Sequence, residues 1–203
     1  MKYSTIHNDP INRSTIVNPW SYWDDGFSEE EISKLIEYTS NLPLLNATTI
    51  GTKENIEEAR KTRKSDIGWI RRDNDTAWFF DRFNFIVQNS NQKFYNFDLN
   101  GYDSIQYTVY DENEEGNYGW HMDMCMDVNM GEPRKLSLTM LLNDDFEGGE
   151  FEINKGTEKN AEIIPTKKGR CILFPSWIIH QVKPVTRGYR KSLVIWVTGP
   201  KFQ

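Results

Sequence analysis

Three histidines occur in this chain, His7, His121 and His180, and two of them stand where metal chemistry could be done. His121 opens the string His-Met-Asp-Met-Cys-Met-Asp. In a strand, residues i and i+2 point the same way, so His121 and Asp123 would present an imidazole and a carboxylate side by side, with Met122, Met124 and Met126 on the opposite face. His180, 59 residues further on at the end of an apolar run, is the candidate third ligand. Two histidines and one carboxylate on one face of a metal leave three positions open, the arrangement of non-haem Fe(II) that activates oxygen. Ten residues later stands Arg190, heading a strand pattern in which Arg190, Ser192, Val194 and Trp196 share a face. An iron site that uses 2-oxoglutarate needs a fixed cation for the far carboxylate of that co-substrate, and a guanidinium supplies it bidentately.

These residues need a scaffold, and the hydrophobic periodicity describes one. Ser28 followed three residues later by Glu31 is a capping box, with Phe27 placed to staple onto Ile32, and it predicts a helix from about 29 to 41. Phe79, Phe83, Ile86 and Val87 fall at i, i+4, i+7 and i+8, which predicts a second helix from about 75 to 91. From about residue 102 the period changes to two, with Gly, Asn and Asp turns between segments. Strands are expected at 105–110, 118–126, 135–142, 150–153, 162–164, 170–174, 179–182 and 190–197. The fold class expected is mainly β with N-terminal helices, a double-stranded β-helix or cupin-like jelly roll. A single domain is expected over 1–203, with about 1–100 a helical support and about 102–198 the jelly-roll core that carries the site.

The segment from about 104 to 198 resembles the Fe(II)/2-oxoglutarate-dependent dioxygenases, most closely the prolyl 4-hydroxylase-like branch that includes the PKHD-type hydroxylases. The resemblance rests on Tyr110 and Tyr118 leading to His121-Met-Asp123, on the 135–151 segment with its Phe-Glu-Gly-Gly-Glu-Phe turn, and on His180 through Arg190 to Trp196. It implies iron held by His121, Asp123 and His180, and 2-oxoglutarate held by Arg190. It also points to Tyr110 as a residue reaching the co-substrate, to Ser137 where many prolyl hydroxylases have a Thr beside it, and to Ser192 as a carboxylate partner. Trp196 would be a pocket wall, and Leu141 replaces a Tyr that some relatives use. The implied reaction is hydroxylation of a C–H bond, with a prolyl residue in a peptide or protein the leading substrate. The cofactors are then Fe(II) and 2-oxoglutarate, with ascorbate as an accessory. A free amino acid or small metabolite is the alternative substrate, and a catalytically silent jelly-roll binding module is the alternative of another class.

Composition narrows the partners. The 203 residues carry 24 basic and 30 acidic side chains, a net charge of −6 that opposes a phosphate-backbone partner, so nucleic acid is disfavoured. No apolar run reaches the roughly 18 residues of a membrane span, and the first residues lack a secretory h-region, so the expected compartment is cytoplasmic, with no membrane partner. Two cysteines, Cys125 and Cys171, read as buried thiols, and Gly148-Gly149 as a turn. The alternation of the methionines out of phase with His121 reads as core packing. Lys61, Arg63 and Lys64 read as a solvated run, with part of a substrate rim the alternative, and Asp111, Glu112, Glu114 and Glu115 as a solvated loop, with a guide for a cationic substrate the alternative. A hydrogen-bonded structural cluster is the bland alternative for the three metal-ligand candidates.

Overall fold

The computed structural model describes residues 18–49, 55–124, 131–156 and 161–201. Its centre is two packed antiparallel sheets. The larger runs in the order β1 (Ser21–Trp23), β11 (Cys171–Pro175), β7 (Arg134–Leu141), β14 (Tyr189–Thr198), β5 (Ser104–Asp111), β4 (Asp66–Arg71) and β2 (Leu45–Asn46). The smaller runs β10 (Ala161–Ile163), β9 (Phe151–Asn154), β12 (Ile179–Val182), β6 (Asn117–His121) and β3 (Arg63–Lys64). A short pair, β8 (Glu147–Gly148) with β13 (Val185–Arg187), lies apart from both. Each of the eight strands expected from periodicity has a counterpart here, and the architecture is the double-stranded β-helix.

The central strands of the large sheet are buried on both faces, and their period of two sorts two kinds of interior. Tyr107, Leu138, Met140, Leu193 and Ile195 point one way, into the main core. That core is closed by α1 (Glu29–Ser40) and α3 (Ala77–Ser90) through Ile32, Leu35, Phe79, Phe83 and Ile86. Their alternates Gln106, Thr108, Ser137, Thr139, Arg190 and Ser192 are buried too, although polar. They face the smaller sheet, alongside an apolar cluster that joins Ile172 and Phe174 to Phe151, Ile153 and Val182. Burial of so many polar groups on one face costs free energy unless they are bonded, and it marks that interior as a site.

The capping box forms as expected: Ser28 N–H donates to Glu31 at 2.8 Å and Glu31 N–H donates to Ser28 Oγ at 3.2 Å. Arg82 on α3 then reaches Glu31 at 2.7 Å, tying the two helices together. The expectation of a helical support over 1–100 needs correction. That region contributes β1, β2 and β4 to the large sheet and β3 to the small one, besides α1, α2 (Ile56–Thr62) and α3. The reason is non-local pairing: Ser21 pairs with Leu173 and Arg63 with Tyr118, partners that a local period cannot reveal. Among the described residues no helix is long and apolar enough to cross a membrane.

Candidate active site

His121, the last residue of β6, and His180 on β12 are direct cross-strand partners, so pairing of the two strands alone brings the imidazoles together. The ring centroids lie 4.1 Å apart. Asp123 completes the group: its Oδ1 is 3.7 Å from His121 Nε2 and its Oδ2 3.6 Å from His180 Nε2. The three ligand atoms all lie within 4.8 Å of one another. Each histidine commits its Nδ1 to a backbone carbonyl, His121 to Gly119 at 2.8 Å and His180 to Ile178 at 2.9 Å. A carbonyl only accepts, so Nδ1 carries the proton and both Nε2 lone pairs are left facing Asp123.

Electrostatics favour the same states. Burial, with His180 adding to it, pushes the His121 pKa down to about 3, so this imidazole is neutral and able to ligate. Burial would raise the Asp123 carboxyl, but the two histidines, the Ser137 hydroxyl and Arg134 outweigh it and hold the pKa below its ordinary value. The neutral His121 imidazole, His180 Nε2 and an ionised carboxylate form a donor set that fits Fe(II).

Asp123 is not on the strand that was expected to carry it. β6 ends at His121, and Asp123 is brought in by Ser176, whose carbonyl accepts from the N–H groups of Asp123 at 2.9 Å and Met124 at 2.8 Å. The reading of the methionines as core is therefore corrected for Met122, which is 48% exposed, while Met124 is half-buried. Cys125 and Met126 lie outside the described residues, as does His7. Cys171 is a buried free thiol.

On the same pocket, Arg190 is 1% exposed and has no carboxylate partner among the described residues. Its Nε donates to Gly149 carbonyl at 3.0 Å, one terminal nitrogen donates to Ser192 Oγ at 3.2 Å, and its guanidinium lies 5.3 Å from the centre of the Tyr110 ring. A buried guanidinium with only neutral partners is costly unless an anion joins it, so this end of the pocket fits a carboxylate. Gly149 makes the approach feasible: it sits at φ +64°, and a Cβ there would lie 2.8 Å from Arg190 Cδ. Tyr110 keeps its place because the 111–117 loop folds back in a 3-10 turn over Glu112–Glu114.

Tyr110, Ser192 and Trp196 line the pocket with the triad and Arg190. Ser137 is placed differently: its hydroxyl donates to Asp123 Oδ2 at 2.7 Å, behind the carboxylate. Two further residues were not among the site residues expected from the sequence. Ser176 is one. The other is Arg63, read there as solvated but 5% exposed, lining the pocket over Tyr118 at 4.6 Å. Glu114 and Glu115 are exposed, as expected, and pair with Arg60 and Lys64.

A jelly roll with a His-Asp-His group beside a buried guanidinium has the donor set and the charge to fit a metal ion and an anion, and comparison with known proteins says what the chain is similar to. Residues 105–198, which hold the triad and Arg190, match the 2OG-Fe(II) oxygenase superfamily. That family uses Fe(II) and 2-oxoglutarate. The chain is 37% identical over 87 residues to a PKHD-type hydroxylase of Teredinibacter turnerae, covering 40% of this chain and 38% of that protein. A PKHD-type hydroxylase of a Synechococcus strain is 35% identical over 85 residues, covering 40% and 37%. The chain thus spans under two fifths of the length of these curated relatives.

Among solved structures, a Pseudomonas putida prolyl-4-hydroxylase aligns with TM-score 0.68 at 18% identity, over 90% of this chain and 94% of its own. A Trichoplax adhaerens prolyl hydroxylase in complex with a hypoxia inducible factor peptide fragment gives 0.70 at 18%, over 89% and 84%. A collagen prolyl hydroxylase of Paramecium Bursaria Chlorella virus-1, in a 2OG complex, gives 0.64 at 19%, over 90% and 97%. These likenesses establish the fold.

Proposed function

We propose that the chain is an Fe(II)- and 2-oxoglutarate-dependent hydroxylase acting on a prolyl residue in a peptide or protein, with 2-oxoglutarate and O2 converted to succinate and CO2. The observation that carries this reading is the buried Arg190, which has no carboxylate partner among the described residues, on the same pocket as the His-Asp-His group. His121, Asp123 and His180 would hold the iron, and Arg190 with Ser192 and Tyr110 the far carboxylate of the co-substrate. When bound, iron and co-substrate supply the oxidant that replaces a substrate hydrogen by hydroxyl. The protein's own residues orient and shield: Gly119 and Ile178 carbonyls fix the imidazoles, and Phe151, Phe174 and Val182 wall the pocket against water.

A peptide substrate draws support from the pocket mouth. Trp196 lines the pocket, packs 6.2 Å from the exposed Trp69 and lies under the Arg134 guanidinium at 4.1 Å. Aromatic-lined grooves are what proline-rich segments dock on. The two sheets draw strands from both halves of the chain, which supports reading it as one domain.

The test incubates the protein with Fe(II), 2-oxoglutarate and O2, with proline peptides or with free amino acids. Succinate release and a one-oxygen mass gain on a peptidyl proline are expected, both abolished in Asp123→Ala. Oxygen gain on free amino acids alone would overturn the peptide reading, and no 2-oxoglutarate turnover with any partner would favour a silent binding module.

A further inference from the structure

We propose that Ser137 and Ser176 are positioning residues that occupy one oxygen of the Asp123 carboxylate and so restrict it to metal binding through the other. The inference rests on the reading of this group as a metal site. Both serines are 0% exposed. An ionised carboxylate only accepts, so Ser137 must donate its proton to Asp123 Oδ2, at 2.7 Å. Its oxygen is then the acceptor for Ser176 Oγ at 2.9 Å, which gives the relay one direction: Ser176 to Ser137 to Asp123.

Ser176 is itself clamped. Its N–H donates to Lys135 carbonyl on β7 at 3.0 Å, and its carbonyl receives the N–H groups of Asp123 and Met124. Two residues on, the Ile178 carbonyl fixes His180 Nδ1. The short stretch 175–180 thus sets the backbone and the carboxylate of one ligand and the tautomer of another, through groups that never face the substrate pocket.

A carboxylate can give a metal one oxygen or two. Three open positions on a facial triad require that it give one, and a charge-assisted bond at Oδ2 removes that oxygen from competition. Released from Ser137, the carboxylate can chelate, and the position it takes is one that co-substrate or O2 needs.

Mn(II) bound to the full chain without 2-oxoglutarate allows the count of bound waters by water-proton relaxation. Wild type and Ser137→Thr are expected to hold about three exchangeable waters and Ser137→Ala about two. The 2-oxoglutarate affinity of the Mn(II)-loaded protein should fall roughly 10- to 100-fold in Ser137→Ala, with a smaller loss in Ser176→Ala and near recovery in Ser137→Thr. Circular dichroism melting identifies the folded variants, and Ser176→Ala carries the test where Ser137→Ala does not fold. Unchanged water count and unchanged 2-oxoglutarate affinity in a folded alanine variant would overturn the proposal. A wild-type protein that binds no Mn(II) would instead overturn the metal-site reading beneath it.

Discussion

Arg190→Met is the substitution for which the structure gives the firmest magnitude. The guanidinium is held by two neutral partners, Gly149 carbonyl at 3.0 Å and Ser192 Oγ at 3.2 Å, in a position 1% exposed. Removing it leaves a ligand carboxylate buried without its counter-charge, a loss of about 2 to 5 kcal/mol. That is roughly a 30- to 4,000-fold rise in the Kd for 2-oxoglutarate. Thermal melting of the Mn(II)-loaded protein reads it directly. At a 2-oxoglutarate concentration of 100 times the wild-type Kd, wild type gains about 2.7 kcal/mol, or about 5 to 11 °C for a chain of this size. Arg190→Met should retain at most about 0.9 kcal/mol, or about 2 to 4 °C, under the same conditions. A wild-type shift in Arg190→Met would refute the reasoning. So would an equal loss in Arg187→Ala, since Arg187 is exposed and paired with Glu147 at 2.6 Å.

Gly149→Ala forces a side chain into φ +64° and against Arg190, so it should lower the Tm by about 2 to 8 °C and weaken 2-oxoglutarate binding in the same protein; a neutral effect on both would contradict the packing described. Metal-free protein should lose stability as pH falls. The His121 pKa is about 3 when folded, because burial and then His180 disfavour its charge, against about 6.5 unfolded. The unfolded chain therefore binds more protons between those values, and stability is full above pH about 6.5 and drains away toward 3. Denaturant unfolding of wild type against His121→Asn across that range checks it, and an identical pH slope in the two would be the contrary result. Ser28→Ala should cost about 1 kcal/mol, a Tm drop of about 2 to 4 °C, by removing the N-cap hydroxyl of α1.

Residue chemistry in order along the chain was enough to single out His121, Asp123, His180 and Arg190, and the structure brings the four onto one pocket. The geometric reason expected for Asp123 was nevertheless wrong. Period-two alternation placed it on the strand with His121, whereas the strand stops at His121 and a carbonyl from residue 176 carries Asp123 into place. Ser137 was expected beside the co-substrate and instead bonds the carboxylate, because the side chain that it meets belongs to a loop whose path no periodicity encodes. Ser176 and Arg63 left no readable signal for a related reason. One follows β11 in a turn, and the other sits in a two-residue strand within a run of basic residues that resembles any solvated segment. Helix α1 was legible to its first residue because capping is local chemistry, while β1 and β4 were not, because their stability comes from partners in distant parts of the sequence.

The central claim is that His121, Asp123 and His180 hold an iron at which 2-oxoglutarate can chelate. Anaerobic titration of Fe(II) into the protein with 2-oxoglutarate, followed by visible absorption, tests it most directly. A metal-to-ligand charge-transfer band that requires both components in wild type and is absent from folded His180→Ala is the result expected. Folded wild-type protein that develops no band, or a band undiminished in His180→Ala, would contradict the account.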